Sequence, residues 1–252
     1  MAALFLWEKT KARSFLSHPE KSPDTIPAMR VVMILFLLLV VSCGRPLTEG
    51  ETRFAQAMHG AQFDTGRIRF IEGALVGSVT YQREKRPRLA CRERIFPEPD
   101  SDFVTVGPAA IALHNKVFYT RPYYLRDFMQ NYPQEMDLYA AMIFSHEMMH
   151  VWQWQNRAKT GYSPLRAGGE HATSDDPYLF DISTNADLLE YGYEQQAGIV
   201  EEYVCCAALD PSAPRTKRLK KMLSGAFPVN DLKIPSKVSL PWDEAETRGI
   251  CR

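Results

Sequence analysis

Two histidines four residues apart, His146 and His150, with Glu147 directly after the first, constrain this chain more than any other feature. Residues four apart on an α-helix lie on one face, one turn above each other. Two imidazoles so placed can bind a single metal ion through their ring nitrogens. Glu147 is turned about 100° from His146 around the helix, close enough to take the proton of a water on that metal. Zn²⁺ lowers the pKa of such a water toward about 7, so that it can attack a carbonyl as the carboxylate accepts the proton. The H-E-x-x-H spacing is therefore set by the geometry of the chemistry. The flanks agree with it. Ala140, Ala141, Met142, Ile143 and Phe144 precede the motif, and Met148, Met149 and Val151 lie within and after it. A solvated helix carrying the motif by chance would show Lys or Glu there. The alternative is a pair of core histidines beside a capped glutamate.

A catalytic zinc needs a third protein ligand and an open position. A metzincin would have Gly at position 153 and His at 156, where this chain has Gln153 and Asn156. The downstream stretch offers Glu194 instead. Glu194, Ala197, Glu201 and Val204 fall on one helical face that mixes carboxylates with small apolar residues. A His₂Glu site built from two helices follows, with Glu194 as ligand. His171, in the intervening segment, is the competing third ligand, or else a group that orients substrate. Asp187, Glu190 and Glu201 are candidates to accept from the far nitrogen of a liganding imidazole. Tyr178, Tyr191 and Tyr193 are candidate donors to an oxyanion.

These residues resemble the zincin superfamily, and the downstream glutamate resembles the gluzincin arrangement. Leu47 to Glu51 with the helix after it, the segment from Asp64 to Phe70, His146 to Gln153, and Glu194 to Val200 resemble a bacterial group of small zincin-like proteins. Some of that group carry names linking them to Vgr or Rhs elements of secretion systems. The resemblance implies an α+β zincin-like core of two long helices with a small sheet on one side. It also implies metal ligation by His146, His150 and Glu194, with Glu147 as general base. One departure stands out: gluzincins of the thermolysin kind carry Asp four residues after the ligand Glu, and this chain has Gly198.

Ahead of these motifs, residues 31–41 form an unbroken apolar run, VVMILFLLLVV. Eleven residues suit the h-region of a signal peptide and are short of the roughly 20 that span a bilayer. The run ends in Val40-Val41-Ser42-Cys43-Gly44, which resembles a lipobox with Cys43 as the lipidated residue. Met29-Arg30 is a compact basic start for that signal. The expected division is a leader over 1–43, a zincin-like domain over 44–210 and a basic, Pro-punctuated tail over 211–252. The expected location is the periplasmic side of a bacterial envelope. In that oxidising compartment Cys91, Cys205, Cys206 and Cys251 can form two disulfides. Adjacent Cys205 and Cys206 are poor partners for each other, and Cys91–Cys251 is one option.

Coarser signals place the elements. Thr48-x-x-Glu51 reads as a capping box, opening a helix with Phe54 and Met58 on one face and Gly60 as its stop. Strands are expected at 67–70, 76–81, 103–106, 110–113 and 116–119, the last two around a turn at His114-Asn115. The strand at 116–119 is the one expected to pair with an extended substrate. Residues 83–94 read as a basic loop, and Pro122 opens a short helix. A long helix is expected over 135–158, then a loop over 160–183. A second long helix begins at a Thr184-x-x-Asp187 box or at Gly192, and runs to 208.

Formal net charge is zero, so nothing global draws the chain to nucleic acid, and no Gly-rich phosphate loop is present. The basic runs at 83–94 and at Arg215, Lys217, Arg218, Lys220 and Lys221 can meet anionic headgroups near an anchor; the plainer reading is solvated surface. Two functions fit these residues. One is an envelope-anchored zinc metallopeptidase acting on a peptide or protein substrate. The other is a zincin-fold lipoprotein that has lost turnover and serves as a binding or assembly factor of a secretion or envelope system. The intact Glu147 favours the first.

Overall fold

The computed structural model describes residues 44–73, 80–174, 176–184 and 186–252. The apolar run at 31–41, Cys43 and all but the last two residues of the strand expected at 76–81 lie outside the described residues.

Helix α1 (Glu49–His59) starts on the capping box read from sequence: Thr48 Oγ1 accepts from Glu51 N–H, and the Glu51 carboxylate accepts from Thr48 N–H. Arg45 clamps the same carboxylate with two bonds of 2.7 Å, so Glu51 is buried and fully paired. Strand β1 (Arg69–Glu72) follows a 3₁₀ turn over Thr65–Arg67, two residues later than the alternation in sequence implied. Strand β2 (Tyr81–Glu84) and a single-turn helix α2 (Cys91–Arg94) replace part of the basic loop expected over 83–94.

Strands β3 (Phe103–Val106), β4 (Ala110–Leu113) and β5 (Lys116–Tyr119) fall where alternation placed them. His114 adopts φ 59° in the β4–β5 turn. β3 pairs antiparallel with β2. β1, β5 and β4 form a sheet in that order, β1 parallel and β4 antiparallel to β5. β5 is thus paired on both sides, and the expectation that it receives substrate is corrected: the edge strand beside the main helix is β4.

Strand β6 (Glu135–Asp137) precedes helix α3 (Leu138–Gln155), which carries His146, Glu147 and His150. Asp137 caps α3 by accepting from Ala140 N–H at 2.8 Å, three residues after the expected start. A short helix α4 (Arg157–Thr160) ends at Gly161, whose φ of 68° suits a residue without Cβ. Helix α5 (Pro164–Thr173) lies inside the segment expected to be loop. Its start is ordinary: Ser163 accepts from Arg166 N–H and Pro164 occupies the first turn.

Helix α6 (Tyr193–Leu209) begins at Gly192. The box expected at Thr184 is not formed; Asp187 and Glu190 form one around a 3₁₀ turn instead. Pro122 likewise opens only a 3₁₀ turn. Helix α7 (Pro214–Ser224) and strand β7 (Lys237–Ser239) complete the α+β unit, β7 pairing parallel with β6. Residues 211–252, set apart by composition, therefore lie in the same compact unit as the rest of 44–252.

α3 packs on α6 more extensively than any other described pair of elements. α3 is apolar on nearly every side, with Met142, Phe144, Met148, Met149 and Val151 all at 0% exposure. Behind it, Phe144 meets Phe54 and Phe70 edge-on at centroid distances of 6.0 and 5.9 Å. Emptying such a site, as in Phe144→Ala, costs about 3–5 kcal/mol. Two disulfides pin α6: Cys91–Cys205 ties it to α2 and Cys206–Cys251 to the C-terminal segment. Neighbours on a helix point about 100° apart, so each cysteine takes a different partner and Cys91–Cys251 is corrected.

His59, at the end of α1, is buried among Phe63, Trp152 and Phe227. Burial pushes its imidazole down to about 3. It is therefore neutral in the fold but takes a proton in the unfolded chain below about pH 6.5. Its stabilising share is full above that pH and is lost as pH falls toward 3, at up to about 1.4 kcal/mol per pH unit. His59→Phe should lose less stability than the parent between pH 7 and pH 5, read from urea midpoints. Equal losses would refute the assignment.

Candidate metal centre

The motif residues come together with Glu194 at the α3–α6 contact. His146 Nε2 and His150 Nε2 each lie 3.3 Å from Glu194 Oε2. The three ligand atoms all fall within 4.8 Å of one another. A tetrahedral zinc with bonds of about 2.0–2.2 Å holds its ligand atoms about 3.3 Å apart. The two histidine–carboxylate separations match that requirement, and His146, His150 and Glu194 form a group able to hold a metal ion.

The hydrogen-bond network fixes which ring nitrogens are available. Tyr191 C=O accepts from Gln196 Nε2 at 2.7 Å, so the Gln196 oxygen is the atom that accepts from Gln153 Nε2 at 3.0 Å. Gln153 Nε2 also donates to Tyr193 C=O at 3.1 Å, which leaves Gln153 Oε1 facing His150 Nδ1 at 2.9 Å. That oxygen can only accept, so His150 carries its N–H at Nδ1. His146 Nδ1 faces the carboxylate of Glu201 at 3.3 Å, with the same result. Both Nε2 atoms then face Glu194 Oε2, a buried oxygen with no aligned hydrogen bond among the described residues. Without a proton on the rings these would be three electron-rich atoms facing one point, so positive charge is required there.

The titration behaviour reflects the same demand. Burial opposes charge on His146, but contacts with Glu194 and Glu201 outweigh it and hold the imidazole up at about 10. Burial likewise opposes charge on Glu194, and the neighbouring imidazoles overcome it and hold the carboxyl well below the usual range. A proton on the rings or a metal among them answers the same electrostatic need.

Glu147 lies beside this group, where burial pushes its carboxyl up against the pull of His146 and His150. It faces a cleft of about 1010 Å³, walled by β4, α3 and α5 and by Tyr162 and Tyr178. His171 reaches in from α5, its Nε2 3.1 Å from Glu194 Oε1. Tyr178 packs its ring 5.9 Å from that of His146 and 5.5 Å from that of His171.

Other sequence candidates go elsewhere. Glu190 accepts from Asp187 N–H as a cap and does not reach either histidine. Tyr193 donates to Thr160 C=O at 3.4 Å and does not line the cleft. Tyr191 hydroxyl donates to Asp181 C=O. Sequence reading missed three residues. Gln153 was signalled only by its place one turn beyond His150. Tyr162 sits over His150 with its phenol pushed up by burial, then by Glu194 and Glu147. Glu170 accepts from Tyr193 and Glu194 N–H at 2.8 and 3.1 Å and so caps α6 at Glu194 itself. A Cβ at Gly192 would approach that carboxylate to 3.1 Å, so the glycine permits the cap.

No protein-family model and no curated protein matches the chain. Among solved structures the effector domain of Pseudomonas aeruginosa VgrG2b matches. The likeness covers 79% of this chain and 96% of that one, with 20% identity and a TM-score of 0.47.

The geometry predicts one divalent ion per chain by elemental analysis. Glu194→Ala should abolish its retention, while His171→Ala, changing a half-exposed residue outside the three-atom group, should keep it. The reverse pattern would make His171 the ligand.

Proposed function

We propose that the protein is a zinc metallopeptidase of the gluzincin kind, held at the bacterial envelope through Cys43, with His146, His150 and Glu194 as ligands and Glu147 as general base. The carrying observation is the convergence of the two Nε2 atoms and a buried Glu194 oxygen beside an intact Glu147. Two histidines and a carboxylate are a donor set that zinc accepts while keeping a position open. Bound there, zinc supplies a Lewis acid that activates water and polarises a carbonyl.

This chain's own residues do the rest. Glu147, with its carboxyl held up, takes the proton of the attacking water and can pass it to the leaving amine. Tyr162 keeps its phenolic proton and is placed to donate to the carbonyl oxygen as charge develops there. The β4 edge runs along the cleft and can exchange backbone hydrogen bonds with an extended peptide. Among the described residues no helix is long and apolar enough to cross a membrane; in this reading the chain is attached through Cys43. A retired site used only for binding would have no need to keep Glu147 free of structural hydrogen bonds at Oε2.

Glu147→Gln should keep the metal and lose peptide cleavage by about 10²–10⁴-fold, the usual worth of a positioned base. Cleavage of a peptide library by the parent and the variant at equal metal content is the test. A metal-loaded parent without turnover, or a variant as fast as the parent, would overturn the peptidase reading.

A further inference from the structure

Gly198 stands one turn beyond Glu194 on α6, at the place where the resemblance led one to expect an acidic residue. A Cβ at this position would lie 3.1 Å from Arg92 Nη1 and 3.1 Å from Phe180 Cε1. The helix is notched there, and the guanidinium of Arg92 fills the notch. The Arg92 side chain is only 7% exposed. Its Nη2 donates to Tyr178 C=O at 2.8 Å and its Nε to Glu93 Oε1 at 3.1 Å. Its Nη1 lies 3.4 Å from Glu201 Oε2, the same oxygen that faces His146 Nδ1 at 3.3 Å. Arginine and imidazole thus converge on one carboxylate oxygen.

The backbone around Arg92 is anchored independently of its side chain. Glu202 accepts from Cys91 N–H at 3.0 Å and Arg92 N–H at 3.3 Å, and Cys91 is disulfide-bonded to Cys205 on α6. Farther out, Arg86 reaches Glu93 at 3.9 Å and binds Asp176 through two bonds of 2.6 and 2.7 Å. Charges therefore alternate along a line from Asp176 through Arg86, Glu93, Arg92 and Glu201 to His146.

We infer that Arg92, admitted by Gly198, is a positioning residue for the metal centre: it holds Glu201 in the rotamer that orients the His146 ring. This rests on the reading of His146, His150 and Glu194 as a zinc site. Groups behind a metal ligand fix ring orientation and typically change affinity by about 10–100-fold when removed. Here that role is shared by two residues, because Glu201 reaches His146 from seven residues beyond Glu194 and needs a second contact to fix its side chain. Glu201, held by an arginine from another element, supplies the acceptor behind His146 that an acidic side chain at 198 would have given.

The test uses the full chain, with two readouts besides activity: zinc affinity by competition with a chromophoric chelator, and the visible spectrum of the cobalt-loaded protein. Arg92→Met should weaken zinc about tenfold or more and shift the cobalt bands, with Arg92→Lys recovering part of both. Gly198→Ala should weaken zinc in the parent but add little in Arg92→Met, since the group it displaces is gone. Thermal unfolding of the metal-free forms reports any loss of fold separately. If Arg92→Met does not fold, Gly198→Ala decides alone. Unchanged affinity and spectrum in Gly198→Ala, or an equal Gly198→Ala penalty in both backgrounds, overturns the inference. A parent that takes up no metal overturns the zinc reading and this inference with it; a zinc-binding parent with indifferent variants overturns this inference only.

Discussion

Glu194, Glu201 and Glu202 all lie on α6 where it packs against its neighbours, and an ionised carboxylate taken from water without partners costs several kcal/mol even after relaxation. Each one is compensated by a different part of the chain. Glu194 faces the imidazoles of α3 and α5. Glu201 faces His146 and Arg92. Glu202, at 0% exposure, takes the backbone N–H groups at the start of α2 and the guanidinium of Arg215 at the start of α7. The need to pair these three charges, two of them buried and one partly buried, thus specifies which elements surround α6, while the apolar faces of α3 and α6 supply the burial that holds them together.

Where a pattern was local, the sequence showed it. The α1 capping box, the 114–115 turn between β4 and β5, and the H-E-x-x-H helix each depend on residues within a few positions of one another. β6 was hidden because its partner β7 lies about a hundred residues on, and its three residues merge into the apolar start of α3. α5 was hidden by Gly168 and Gly169, which lower helix propensity by about 1 kcal/mol each. Its Ser163-Pro164 start was a legible signal that those glycines outweighed. The disulfide pairing required knowing that Cys205 and Cys206 face opposite neighbours.

Legibility of the site follows the same rule. His146, Glu147 and His150 declare themselves through one helix turn, and the carboxylates of Glu194 and Glu201 through one helix face. Gln153 did not, although it sits on the same helix. Its role depends on the chain of amides ending at Tyr191 C=O, and so on where α6 begins. That start is set in turn by Gly192 and by the Glu170 cap from α5. The protonated nitrogen of His150 is therefore decided by the segment between α5 and α6, the part of the sequence with the weakest pattern.

The two histidines of the candidate centre are supported unequally, and charge explains why. His146 has a carboxylate behind it and His150 a neutral amide. With a divalent cation held at the Nε2 atoms, Glu194 and Glu147 together supply two negative charges, and Glu201 is offset by Arg92. Glu194 and Glu147 then match the cation, while Arg92 is shared between Glu201 and Glu93. A carboxylate in place of Gln153 would add a negative charge to a buried site, and among the described residues no arginine bonds to that side chain. The amide Nε2 also donates to two carbonyl oxygens, those of Tyr193 and Gln196, which a carboxylate would repel. Glutamine at this position follows from the same accounting of buried charge that places Arg92 behind Glu201.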